Sequence, residues 1–310
     1  MILKKAYIGK QVRGSVINQV QTVFKTIIRF GESKHEAKAI AREGGAKTWH
    51  DVGKNINIYS YATADSYREI AIQAFSYIKE TFGVKDITKI EAQHVNSFLE
   101  SKIEENIKYS TFQKYAAALE KLEVALEKFT GQKYNFDLTE ARELAQNTLT
   151  RTDVHRAYEN PKIVINAIFN KTYRILAQAQ LESGFRVHEL NHLKLSQFSD
   201  NSHSITVQGK GGKIRETELN QKTYDVLKSI VENSRDKKLI FNPDSYRQHI
   251  KLACEATNQQ YQGTHGFRWN FAQNTFHQLQ SEGKSYEESL SVVSKLIGHE
   301  RSDITEHYLK

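Results

Sequence analysis

Cysteine and proline are nearly missing from this sequence, and so is any long apolar run. The single cysteine, Cys254, excludes an intrachain disulfide framework and leaves too few thiolates for a zinc site of the usual four-ligand kind. No stretch approaches the roughly 20 apolar residues of a membrane span, and Met1-Ile2-Leu3-Lys4-Lys5 lacks the apolar centre of an export signal. A cytoplasmic location with no membrane partner is the expectation. Only two prolines, Pro161 and Pro243, interrupt 310 residues, which favours helices. A phosphate-cradling glycine loop is also missing. Gly209-Lys210-Gly211-Gly212-Lys213 lacks the Gly-Lys-Ser/Thr ending and joins two strands, so it does not read as a nucleotide site.

What is present is positive charge. The formal net charge is +8, and 39% hydrophobic with 26% charged residues is an ordinary balance for a folded chain. Polyanionic partners are favoured, with nucleic acid the commonest of them. Residues 1–50 hold 10 Lys/Arg against 3 Asp/Glu and so carry most of the excess. This basic helical N-terminal segment is a candidate phosphate-contacting region, and a solvated helical face is its ordinary alternative.

Helical periodicity dominates the pattern. Val16, Val20, Val23, Phe24, Ile27 and Ile28 share a helical face, and Ser33 with Glu36 reads as a capping box for a second helix ending near Gly44. A third helix is predicted from about Asp65 to Thr81. A fourth follows a Thr88/Glu91 capping box, and a fifth follows Ser110/Gln113 and runs to Gly131. Residues 131–160 show no sustained period and hold the predicted domain boundary.

Beyond it, helices are predicted at about 162–181 and 187–195, after Pro243, from His265 to Leu279, and through Leu290, Val293 and Leu296. Ser204 to Gln208 and Ile214 to Leu219, joined by Gly211-Gly212, read as a β-hairpin with lysines at its tip. The fold class is therefore mainly α with a small β-hairpin in the second domain.

Four separated pieces of the second half suit one chemistry. In Glu182-Ser183-Gly184-Phe185-Arg186, the glycine ends one helix and Arg186 begins the next, where a guanidinium can reach a bound anion. Lys210 sits on the hairpin. His265-Gly266-Phe267-Arg268 puts an imidazole and a guanidinium one helical turn apart. Gly298-His299 is followed nine residues later by Tyr308. Taken singly, each residue has an ordinary structural explanation, and Tyr308 is one of 15 tyrosines. Taken together, they fit in-line displacement at a phosphodiester.

Arginine forks at Arg186 and Arg268 match the phosphate oxygens, and His299 adds a donor. A tyrosine hydroxyl, with its ordinary pKa near ~10, needs a neighbouring base to become a nucleophile, and His265 suits that task. The departing 5′ oxygen needs a general acid. Lys210 is assigned that role, with Lys213 on the opposite strand able to reach the same point. His188 and His192 have a spacing that could ligate a metal, but no third ligand accompanies them, and they are read as structural.

These ordered motifs, spanning about Lys162 to Tyr308, resemble the signature of the tyrosine recombinase or phage integrase family. The resemblance implies that Arg186, Lys210, His265, Arg268, His299 and Tyr308 form the active site and that Glu189 orients it. It further implies a two-domain DNA clamp, with residues 51–150 as a helical core-binding (SAM-like) domain and residues 155–310 as the catalytic domain. Tetramers would act on two double-stranded DNA sites through a 3′-phosphotyrosine and a Holliday junction, without metal or nucleotide cofactor, with directionality factors as possible accessories. An integrase of a mobile element is the favoured role. A Xer-like dimer resolvase, a topoisomerase-like nicking-closing enzyme and a non-catalytic DNA-binding factor are the alternatives.

This chain departs from the family pattern in three ways. Trp269 stands where many members have histidine, and the stretch from Arg268 to His299 is long. The chain also ends two residues after Tyr308, where many members continue into a segment that docks on a neighbouring protomer. Protomer coupling is thereby left to other surfaces or to residues beyond this end.

Overall fold

The structure, a computed structural model, describes residues 12–151, 155–209, 214–299 and 302–309. The chain divides into two compact units, Met1–Asp153 and Val154–Lys310.

In the first unit, α1 (Val16–Phe24) is capped by the Ser15 hydroxyl and buries Val20, Val23 and Phe24. These residues join a single core with α4 (Tyr61–Phe82), α5 (Ala92–Glu104) and α6 (Tyr109–Thr130). Between α1 and α4 lie α2 (Lys34–Glu43), which buries nothing, and α3 (Trp49–Asn55), which buries Val52. Lys121 of α6 anchors α3 by donating to the Gly53 and Ile56 carbonyls, a cation at a helix C-terminus.

Two expected capping boxes do not form. The backbone N–H and hydroxyl of Thr88 both donate to Asp86, and α5 is capped by His94 Nδ1 accepting from the Glu91 N–H at 3.1 Å. The fifth helix starts at Tyr109, and the Gln113 side chain donates to the Tyr109 hydroxyl instead of accepting from a cap N–H. The aperiodic stretch after Gly131 contains α7 (Thr139–Thr148), which buries only Ala141 and Ala145. So narrow an apolar stripe leaves little periodic signal.

In the second unit, Pro161 opens α8 (Pro161–Ala167) as expected, but the predicted helix over 162–181 is broken. Asn170 caps a new helix, α9 (Lys171–Ser183), and the Arg174 guanidinium closes the break by donating twice to the Ile168 carbonyl, at 3.0 and 2.8 Å. After the short α10 (Val187–Leu190) come β1 (Phe198–Ser199), β2 (Ser204–Gln208) and β3 (Ile214–Glu218), an antiparallel sheet in that order. Gln208 pairs with Ile214 at the closed end of the hairpin, and Val207 pairs with Arg215.

Helices α11 (Gln221–Glu232), α12 (Pro243–Ala256), α13 (His265–Ser281), α14 (Tyr286–Leu296) and α15 (Ser302–Glu306) complete the unit. The long stretch between Arg268 and His299 is the α13–α14 helical hairpin, whose second arm starts at a Ser285/Glu288 capping box. Trp269, Phe276, Leu290, Val293, Ile297 and Tyr308 form a core of their own, and this apolar contact seats the C-terminal helix.

Candidate active site

The chain reverses sharply after α9. Gly184 caps it with φ 64°, and a β-carbon at this position would lie 2.6 Å from Cδ1 of Phe271, so both backbone conformation and space require glycine. The turn presents Arg186 as the first residue before α10. The backbone N–H of Arg186 donates to Glu189 Oε2 at 2.8 Å, and its Nη1 donates to Glu189 Oε1 at 2.9 Å. One buried carboxylate therefore fixes both ends of this arginine.

Arg268 is fully buried, and its two terminal nitrogens donate to the carbonyls of Gly184 and Ile297. It joins the turn that carries Arg186 to the turn that carries His299. The start of α13 is held by Asn270, whose amide bonds the Tyr158 backbone on both sides, at 3.0 and 2.7 Å.

The Tyr308 hydroxyl lies 2.7 Å from Nε2 of His265. With the imidazole proton on Nδ1, the tyrosine donates this bond and Nε2 accepts it. The Tyr308 ring rests on Trp269, with centroids 4.9 Å apart, and faces the His299 ring at 5.3 Å. Gln273 also bonds the Tyr308 carbonyl. Ser294 donates to the Thr305 hydroxyl at 2.6 Å, and Thr305 lies 3.0 Å from His299 Nδ1. Because Thr305 accepts from Ser294, its own hydrogen is free for Nδ1, which leaves the His299 proton on Nε2.

Charge shapes the titration of these groups. Burial, followed by repulsion from Arg268, Arg186 and Arg156, holds the His265 imidazole down to about 4, and Glu189 opposes this only weakly. Burial and Arg186 lower Arg268 to about 10, still charged at neutral pH. Burial would raise the Glu189 carboxyl, but Arg215 and Arg186 outweigh it and keep the group ionised.

One consequence is a pH dependence. His265 binds its proton less readily folded than unfolded, so its contribution to stability is complete above about 6.5 and is lost as pH falls toward about 4. Thermal denaturation across that window should show a decline that His265→Gln reduces. An unchanged slope in the variant would contradict this assignment.

Of the residues singled out in the sequence, Arg186, His265, Arg268, His299 and Tyr308 come together around these turns, with Glu189 beneath them. Lys210 and its alternative Lys213 lie outside the described residues. Among the described residues no group of three or more His, Cys, Asp or Glu side chains is arranged to hold a metal. The sequence reading missed Arg215 and Thr305. Arg215 lies on β3 and donates to Glu189 Oε2 at 2.7 Å. Both are buried polar residues, and their only sequence signal is a polar side chain at an inward strand position or beside a helix end.

No curated protein matches the chain. Among solved structures, a XerH site-specific recombinase bound to palindromic difH substrate is similar, at 15% identity and TM-score 0.67, over 98% of this chain and 95% of that one. A Tn1549 transposon integrase in complex with circular intermediate DNA aligns at 14% identity and TM-score 0.55, over 90% and 96%. A lambda integrase dimer bound to a core site aligns at 15% identity and TM-score 0.55, over 90% and 77%. At such identities these likenesses establish the fold. The phage integrase family model matches residues 147–310, more than half of the chain and all of the site described above. The chain therefore belongs to the phage integrase family and is a tyrosine-type site-specific recombinase.

Proposed function

We propose that the protein cuts and rejoins double-stranded DNA at specific recombination sites, with Tyr308 as nucleophile. The observation that carries this reading is the Tyr308 hydroxyl held on His265 Nε2 at 2.7 Å, beside three arginines whose positive charge Glu189 only partly offsets. A buried excess of cations calls for an anion, and a phosphodiester placed there meets a hydroxyl oriented for attack.

In the first step the Tyr308 oxygen bonds to phosphorus and the bond to the 5′ oxygen breaks. His265 takes the phenolic proton, and the departing 5′ oxygen receives one from Lys210 or Lys213. Arg186 and His299 donate to the equatorial oxygens, and Arg268 contributes charge from behind. The products are a 3′-phosphotyrosine and a free 5′ hydroxyl. Attack by a 5′ hydroxyl from a second duplex reverses the chemistry, so that exchange of one pair of strands forms a Holliday junction and exchange of the other pair resolves it. The phosphotyrosine conserves the energy of the broken bond, so no nucleotide is consumed.

On this reading, four protomers act on paired sites in the cytoplasm. Residues 155–310 supply catalysis, residues 51–150 form the core-binding domain, and basic residues 1–50 extend the contacts to phosphate. Integration or excision of a mobile element is the role we favour, and resolution of chromosome or plasmid dimers is the second. The solved relatives include a Xer recombinase and integrases alike.

Selection of bound duplexes from a random library supplies a site, and a nicked copy of that site should trap a covalent protein–DNA adduct. Exchange of ends between two labelled duplexes separates recombination from mere nicking and closing. Failure to form any adduct on a bound, nicked site would refute the mechanism. Affinity for the selected duplex should also fall steeply between 50 and 200 mM salt, by roughly 10³-fold if about six phosphates are contacted. A flat salt response would contradict the phosphate-contact model.

A further inference from the structure

Arg215 is unexplained by the six-residue site, yet it is one of the most constrained side chains in the second unit. It lies on the hairpin strand β3 at an inward position, opposite Val207, while its neighbour Ile214 points to solvent. Its Nη2 donates to Glu189 Oε2 at 2.7 Å, and its Nη1 donates to the Leu296 carbonyl at 2.8 Å. Weaker bonds reach the Ser183 and Gly184 carbonyls, at 3.3 and 3.5 Å. One guanidinium thus touches the end of α9, the Glu189 carboxylate and the end of α14. Those are the segments that carry Arg186 and His299.

The carboxylate of Glu189 is completely buried and lies between two cations. Without Arg215, it would have Arg186 as its only charged partner among the described residues and would be free to close bidentately on it, drawing the fork away from an incoming phosphate. With Arg215 on Oε2, that oxygen is already occupied by the Arg215 fork and the Arg186 backbone N–H, and only Oε1 holds Arg186 Nη1. The remaining donors of Arg186 stay available. Gly298, whose φ of 67° favours glycine, lies alongside, where a β-carbon would be in ordinary contact with Cδ of Arg215 and Nη1 of Arg186, at 3.4 and 3.9 Å.

We infer that Arg215 is a positioning residue for strand cleavage, dividing the Glu189 carboxylate so that Arg186 keeps its fork directed at the scissile phosphate. The inference rests on the proposed role of Arg186 as a phosphate ligand. Lysine cannot replace it, because a single ammonium cannot serve Glu189 and the Leu296 carbonyl in the fixed directions that a planar fork spans.

The test is a double-mutant cycle in the full chain, with single-turnover cleavage measured on the nicked, selected duplex alongside equilibrium binding and thermal melting. Arg215→Lys should cleave roughly 10–10²-fold more slowly, as expected for misplacement of a catalytic donor, with affinity within about threefold. Arg186→Lys should be slower still. Because Arg215 acts through Arg186, the double variant should be no more than about threefold slower than Arg186→Lys alone. Multiplying defects, or wild-type cleavage by Arg215→Lys, would overturn the inference while leaving the active-site reading intact. Wild-type cleavage by Arg186→Lys would instead overturn the reading on which it rests. Should Arg215→Lys melt well below the parent, Glu189→Gln, which keeps the shape but removes the charge being divided, must give the same non-additive pattern with Arg186→Lys, and additivity there overturns the inference as well.

Discussion

Tyr308→Phe is expected to form no covalent adduct on a nicked site, a loss of at least about 10⁴-fold, while binding the same duplex within about threefold of the parent. The expectation separates cleanly because the hydroxyl and the ring do different jobs. The ring packs on Trp269 and belongs to the core formed by α13, α14 and α15, and phenylalanine preserves that packing. Only the hydrogen bond to His265 Nε2 disappears, at a cost of about 1 kcal/mol. Gel separation of protein-linked DNA reads the adduct, and thermal melting confirms that the fold persists. An adduct in the variant would show that another side chain attacks the phosphate.

Arg268 is the second site where a large effect is expected, and here catalysis and stability fall together. Its guanidinium is fully buried and satisfies the carbonyls of Gly184 and Ile297, the turns before Arg186 and His299. Arg268→Ala removes both donors and leaves a cavity. Destabilisation on the order of 3 kcal/mol and a cleavage defect of at least about 10²–10³-fold are expected. Arg268→Lys keeps a charge and should fold better, yet remain slow, because one ammonium cannot reach both carbonyls in the geometry of the fork.

The same substitutions carry an electrostatic signature. Repulsion from Arg268 is the largest cause after burial for the depressed His265 titration, now near 4. In Arg268→Ala the imidazole should titrate at higher pH, which can be followed by proton NMR of the ring. A titration that stays put would show that burial and the other arginines depress His265 without Arg268. Both variants should be measured at about pH 8, above the ordinary imidazole value of ~6.5, so that cleavage reports the arginine.

Much of the local structure was legible beforehand because it depends on short-range chemistry. Ser33 caps its helix through its own side chain, Gly131 ends another in left-handed conformation, and Pro161 and Pro243 open theirs. The hairpin followed from two short alternating runs around a glycine pair. Errors occurred where a neighbouring side chain competed for the group that the predicted motif required. The predicted helix over 162–181 breaks at Ile168, where Arg174 and Asn170 take up the freed backbone groups. At 88–91, Asp86 claims the Thr88 hydroxyl that the capping box required.

By itself, the sequence determined the helical class, the hairpin and the order of Arg186, His265, Arg268, His299 and Tyr308, because residue type and spacing encode local geometry and reactivity. It could not reveal Arg215. An alternating strand reads Ile214 as inward and its charged neighbour as outward, and the structure reverses both. Arg215 is tolerated in the interior because a carboxylate and carbonyls from other segments receive its terminal nitrogens, and Glu189 and Leu296 are 26 and 81 residues away. Tyr308 was marked by its spacing from Gly298-His299, but only tertiary packing onto Trp269 brings its hydroxyl to His265.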